Sequence, residues 1–421
     1  MPMRPCSRSS LVALVSLFAG LSAGCGGGST PPVEPPPPAP EESVPPPTAV
    51  ARLVFVADSL AVNQGRVTQA VVTALDADGK AVAGAQVAYS VVDPRVASVA
   101  AGGAVSGLRP GVTGVRASVG SVVATATLEV FGHPEGAVVG AEPLHGRPFG
   151  VAVSRHGAVY VTQLDAGSLA QLDTARRIVG SVATGYTPTG VVFSPAGDVA
   201  YVTNQSSGTV GVVDVAAGRQ IATIALPAHP FVPFVSPDGA KLFVTTNTSF
   251  VVVADAASRS LTGRIDLAHA PNGFALHPDG KRVYVSSSFG GTVHEVDMGT
   301  NQVLRALAPG GVPQGLAVSR DGTELFVANE AGWLDVYSLE DGTRLARLAL
   351  AGGGFGLATS PDEQHLYVSL PNAGLVQIVN IPTRAIAHTI TVGGVPRRIA
   401  FTRHGGVAVI PNEAGYVSFV R

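Results

Sequence analysis

The feature that most limits what this chain can become is a unit of about 40 residues written seven times between Pro148 and Asn412. The copies open at Pro148, Pro188, Pro230, Pro271, Pro313, Gly354 and Pro396. A turn, often Asp-Gly, follows nine residues later, and then an aromatic residue starts a strand. Those aromatics are Tyr160, Tyr201, Phe243, Tyr284, Phe326 and Tyr367, with Val409 in the last copy; successive gaps alternate between 41 and 42 residues. A period this regular marks one supersecondary unit copied in tandem, and its length suits a four-stranded propeller blade. Charged residues make up only 13% of the 421, while Gly (51) and Pro (32) are plentiful, which fits many short strands joined by tight turns. A formal charge of −2 gives no basic footprint, so nucleic acid is not an expected partner.

The first residues read as an export signal. Arg4 and Arg8 precede an apolar run over 11–24, too short to span a bilayer, which needs about 20 helical residues. It ends Leu21-Ser22-Ala23-Gly24-Cys25. This resembles the lipobox of bacterial lipoproteins, with Leu21 one place earlier than usual and Ser22 in its stead. The resemblance implies a signal peptide over 1–24, a lipidated Cys25 and a membrane anchor. Neutral Gly26 after the cysteine is similar to the sorting pattern of outer-membrane lipoproteins, which implies the bacterial cell envelope. Cys6 lies in the discarded segment, so no disulfide is expected in the mature chain. Residues 25–50 form a Pro-rich linker, extended at ~3.1 Å per residue and reaching on the order of 70 Å.

Residues 51–132 alternate in short runs with turn signals every 8 to 12 residues, which predicts a β-sandwich. The runs Asp93-Pro94-Arg95-Val96-Ala97-Ser98-Val99 and Gly103-Ala104-Val105-Ser106-Gly107-Leu108-Arg109-Pro110-Gly111 resemble the group 2 bacterial immunoglobulin-like domain, with Tyr89 where that family usually has Trp. The resemblance implies either a surface-adhesin module or a plain spacer, and because no polar cluster here suggests a site, a spacer is expected.

Residues 133–421 carry Tyr201-Val202-Thr203-Asn204 and close relatives at Tyr160-Val161-Thr162-Gln163 and Phe326-Val327-Ala328-Asn329. They resemble the YVTN family of β-propellers. The expected fold is therefore all-β: an Ig-like sandwich followed by a seven-bladed propeller. Seven blades need 28 strands, yet the last copy supplies three before Arg421. Residues 137–141 read like an outermost strand and are expected to complete the last blade, closing the ring. The first strand of each copy centres on Ala152, Val192, Phe234, Ala275, Ala317, Ala358 and Ala400. Five alanines in seven predict that this position sits where the wedge between blades is narrowest.

Propeller ligands usually bind at the channel mouth, where the residues after each opening position form a ring: Phe149, Thr189, Phe231, Asn272, Gln314, Phe355 and Arg397. The ring has no Asp or Glu, so no metal site is expected. No Gly-x-Ser-x-Gly elbow and no metal-spaced histidine pair occur, so no catalytic residue and no cofactor is implied. The repeated Asn and Asp, such as Asn204 and Asp214, read as turn formers. On ring closure Arg147, Arg397 and Arg398 share one sector beside Phe149. Guanidinium forks bind oxyanions and aromatics stack on flat partners. The expected binding set is therefore Arg147, Phe149, Phe231, Asn272, Gln314, Phe355, Arg397 and Arg398. Its expected ligand is an anionic glycan, a small acid or an envelope protein. The functional reading is a non-catalytic, lipid-anchored binding or scaffold protein; the alternative is a propeller enzyme of lactonase or lyase type acting at the mouth.

Overall fold

A computed structural model describes residues 49–132, 136–402 and 406–421. The signal segment, Cys25 and the linker up to residue 48 lie outside the described residues. No helix among the described residues is long and apolar enough to cross a membrane.

The chain is built of strands. Before the repeats, the described residues form three sheets. Ser59–Asn63, Val122–Phe131, Gly111–Val119 and Ala88–Val91 form one; Val67–Gln69, Ala104–Gly107 and Ala97–Val99 form another; Arg52–Phe55 pairs with Val72–Leu75. Their inward residues share one core that includes Leu53, Val105, Val115, Leu128 and Val130. Tyr89 packs against it, partly buried.

From residue 138 onward the described residues form seven four-stranded antiparallel sheets. The first runs Pro148–Val153, Val159–Gln163, Ser168–Leu172, Ile178–Ala183, and the next five repeat this order in sequence. Five of the first strands begin at the opening proline, a residue that lacks an N–H and so suits a strand's first position. The sixth opens on Gly354 and is short, Leu357–Thr359. The seventh sheet holds Ala400–Phe401, Ala408–Asn412 and Tyr416–Val420. Its fourth strand is Val138–Pro143, which pairs antiparallel with Tyr416–Val420. The strand that precedes the first sheet therefore completes the last one. The arrangement is a β-propeller-like repeat.

The aromatic column is the core of each sheet. Tyr160, Phe243, Tyr284, Phe326 and Tyr367 are fully buried on second strands. The alanine column faces them across the ladder: Ala152 opposite Tyr160, Ala275 opposite Tyr284, Ala317 opposite Phe326 and Ala358 opposite Tyr367. A small residue there makes room for a ring.

The narrowest approach lies two residues nearer the opening position than that alanine column. There stand Gly150, Gly190, Gly273, Gly315 and Gly356, with Val232 and Arg398 in the other two copies. A Cβ on Gly150 would lie 2.5 Å from the Thr189 carbonyl oxygen, and one on Gly273 2.5 Å from that of Gln314. Each glycine thus lets its strand abut the backbone of the next sheet.

Candidate functional site: the channel mouth

Five of the seven mouth residues sit on a distortion of their own strand, while Phe355 and Arg397 precede theirs. In the first five sheets the pairing register slips just after the opening proline, for example between Pro148 and Val151 or Pro271 and Phe274. Such bulges turn a side chain out of the regular alternation. Here they carry Phe149, Thr189, Phe231, Asn272 and Gln314.

A column of hydroxyls fixes these bulges. The third residue of the signature is Thr203 in the second sheet, and its Oγ1 accepts from the Gly190 amide at 2.9 Å and donates to the Phe231 carbonyl at 2.8 Å. Thr245 does the same between Val232 and Asn272, Ser286 between Gly273 and Gln314, and Ser369 between Gly356 and Arg397. One hydroxyl thus ties its own sheet's bulge to the mouth residue of the next sheet. Sequence reading missed this role, although the Thr/Ser column was visible in the repeat.

The eight residues singled out in the sequence form one connected network. Phe149 meets Phe231 and Phe355 edge to face, with ring centres 5.9 Å apart in both cases. Leu164 joins this cluster, and Phe149 and Phe355 are buried in it. The Arg397 guanidinium lies 5.2 Å from the Phe149 ring and 5.0 Å from Phe355. That of Arg398 lies 4.9 Å from Phe355 and 5.7 Å from Phe231. Cations over ring faces are held by the ring quadrupole. Arg398 donates to Asn272 Oδ1 at 2.8 Å; Asn272 in turn donates to Gln314 Oε1, and Gln314 Nε2 donates to Glu330 at 3.0 Å. On the outer side Arg397 and Arg147 share Glu413, and Arg147 also reaches Asp165 at 3.4 Å. Arg147 is exposed and held at φ +55°, a strained backbone for a residue that precedes proline.

Electrostatics separate the three arginines. Glu413 raises the pKa of Arg147 through a direct hydrogen bond and pairs with Arg397. Arg398 has no ion pair among the described residues. It keeps a strip of accessible surface because it lines the channel, yet protein surrounds its guanidinium. Desolvation, with the Arg397 charge second, brings its pKa down to about 10, so it stays protonated at neutral pH. Burial pushes the Glu330 carboxyl up, against the pull of Arg397, its bond from Gln314 and Arg398.

The turn-former reading holds at several Asn and Asp positions but not at Asn204, whose Nδ2 donates to Thr209 Oγ1 at 3.3 Å and whose buried Oδ1 has no hydrogen-bond partner among the described residues. Asn329 Oδ1 accepts from the Val312 and Ala331 amides, and Asn412 repeats this with Val395 and Ala414. Asp214, Asp255 and Asp297 accept from amides within their own turns.

No known family model matches the chain. It is 22% identical over 244 residues to Antigen Lp49 of Leptospira interrogans serogroup Icterohaemorrhagiae serovar copenhageni (strain Fiocruz L1-130), a match covering 54% of this chain and 53% of that protein. The chain therefore spans about half the length of this curated relative. Among solved structures it is similar to Kuenenia stuttgartiensis Hydrazine Synthase, with a TM-score of 0.61 and 19% identity over 66% of this chain and 96% of that one. At that identity the likeness speaks to the fold alone, a β-propeller-like repeat.

Proposed function

We propose that the chain is a non-catalytic lipoprotein of the bacterial cell envelope that presents a binding surface at the mouth of a seven-bladed, YVTN-type propeller. Lipid on Cys25 holds it to the membrane, and the Pro-rich arm and a group 2 Ig-like sandwich serve as spacers. Support for the closed ring comes from the pairing of Val138–Pro143 with Tyr416–Val420, which leaves no open repeat sheet at either end. Support for an envelope setting comes from the lipobox-like segment and from the antigen to which the chain is similar.

The single observation that carries the binding reading is the convergence of Arg397, Arg398, Phe149, Phe231 and Phe355 on one point. Two guanidinium groups stacked on the same ring repel one another, and an anionic partner relieves that repulsion. An anionic glycan, a small acid or an acidic envelope protein fits this chemistry. The test is capture from envelope fractions and a glycan screen, with the wild-type chain and an Arg147→Glu plus Arg397→Glu variant. Loss of the captured ligand in the variant supports the mouth as the site. Undiminished capture of every ligand by the variant rejects it.

A further inference from the structure

Beneath the aromatic layer lies a cavity of about 230 Å³. Its wall takes residues from the first strand, or the segment leading into it, of all seven sheets, from Gly150 and Val151 of the first to Arg398 and Ile399 of the seventh. It is therefore the axial channel. The wall is otherwise glycine backbone and apolar side chains: Val151, Val191, Val232, Leu316, Leu357 and Ile399 are examples. Arg398 is its sole ionisable member, and Thr189, its sole hydroxyl, is occupied with Phe231.

Arg398 is out of pattern. Five sister positions hold glycine, and here the chain places its bulkiest cation. The guanidinium makes one side-chain hydrogen bond among the described residues, from Nη2 to Asn272; Nε and Nη1 have no hydrogen-bond partner among them. Burying a charge without a counter-ion is costly, and a cation kept in such a place points to an anion that joins it. The neighbouring carboxyl of Glu330 disfavours a dianion, whereas a single carboxylate matches the fork. The apolar wall selects the group attached to that carboxylate. The volume lies below the roughly 300 to 1,000 Å³ of pockets for drug-sized ligands, so the tail must be short.

We propose that the channel binds a short-chain aliphatic monocarboxylate, its carboxylate on the free edge of Arg398 and its tail against Val151, Val191, Val232, Leu316 and Leu357. The proposal rests on the mouth being a ligand site and names the compound class that enters it. A free acid and the uronate of a glycan share the carboxylate, and only the first has an apolar tail.

The experiment is calorimetric titration of the full chain with 3-methylbutanoate, its neutral amide and glucuronate. The expected result is saturable binding of 3-methylbutanoate and none of the amide. Arg398→Gln should weaken it at least tenfold, and Val232→Phe, which fills the channel, should do the same. Val232→Phe leaves every mouth arginine in place, so it decides the question even if Arg398→Gln does not fold. Equal binding of the amide, or unchanged affinity in Val232→Phe, overturns the proposal. Glucuronate binding without 3-methylbutanoate binding also overturns it, and leaves the mouth reading standing. Charge reversal at Arg147 and Arg397 tests that broader reading separately, because neither residue lines the channel.

Discussion

The hydroxyl column makes a sharp prediction at Thr203, which is fully buried. Thr203→Val keeps the shape of the side chain and removes its hydrogen bonds. Two partners are affected unequally. The Phe231 carbonyl still accepts from Thr189 Oγ1 at 2.8 Å, so it stays satisfied. The Gly190 amide, which bonded Thr203 Oγ1 at 2.9 Å, is left without an acceptor. A buried donor left unpaired costs about 1–3 kcal/mol, and the added methyl returns less than the ~0.8 kcal/mol of a fully favourable burial because its surroundings are polar. The net expectation is about 1–2 kcal/mol of destabilisation.

For a domain of this size 1 kcal/mol moves the melting temperature by about 2–4 °C, toward the lower figure as the chain grows, so Tm should fall by roughly 2–4 °C. Tandem sheets can melt in parts, which makes a global Tm an incomplete witness. Hydrogen exchange at the Gly190 amide is the local one. Its protection should drop while amides in the fifth and sixth sheets keep theirs. A variant within about 0.5 kcal/mol of wild type, with Gly190 exchange unchanged, would refute the idea that the signature hydroxyl holds the mouth in place.

The same geometry carries two more expected outcomes. Deleting residues 133–143 strips the strand that covers Tyr416–Val420 and should leave an open edge, seen as aggregation and a lowered Tm; a truncated chain that stays monomeric and melts like the parent would sink the closure. The Glu330 carboxyl is raised by burial, so the folded state prefers it protonated. Its contribution to stability is complete below the ordinary carboxylate pKa and is lost as pH rises through the folded value. Glu330→Gln should therefore gain in Tm over wild type between pH 4 and pH 7, and a gain that shrinks over that interval would contradict the assignment.

Much of this architecture was legible because a repeat reports itself. The 41/42-residue period indicated the number and order of the sheets, and the missing fourth strand of the last copy pointed to residues 137–141, which overlap the observed strand Val138–Pro143. That Phe149, Phe231, Phe355 and Arg397 ring one mouth followed from their equivalent positions in four of the copies, and Arg398 is the next residue after Arg397. Depth along the axis was hidden. Alanine at Ala152, Ala275 and Ala317 looked like the point of closest approach, because small residues serve both tight backbones and neighbours of large rings. The structure gives those alanines to the rings of Tyr160, Tyr284 and Phe326, and gives the tight approach to Gly150, Gly273 and Gly315. Ion pairing was hidden as well. Glu413 and Arg147 are 266 residues apart in sequence, and no local signal says that one carboxylate serves two arginines.

The two irregularities in the hydroxyl column explain where the aromatic layer formed. Ala328 stands in the fifth copy and Pro411 in the seventh, so neither can bridge to the mouth residue of the following sheet. Those mouth residues are Phe355 and, around the closure, Phe149. They are the two deeply buried rings of the mouth, and each is held by other means. They pack on each other at 5.9 Å, and Arg397 lies over both. The Phe149 carbonyl takes the Arg398 amide, and the Phe355 amide bonds the Ser369 carbonyl. Where a hydroxyl is present the mouth residue is anchored through its backbone, and its side chain need not be apolar, as Asn272 and Gln314 illustrate. Where it is absent the side chain itself must supply the anchor, and a ring under a guanidinium does so. The repeat thus writes the scaffold in one column, and its two lapses fall at Phe355 and Phe149, the two rings that Arg397 covers.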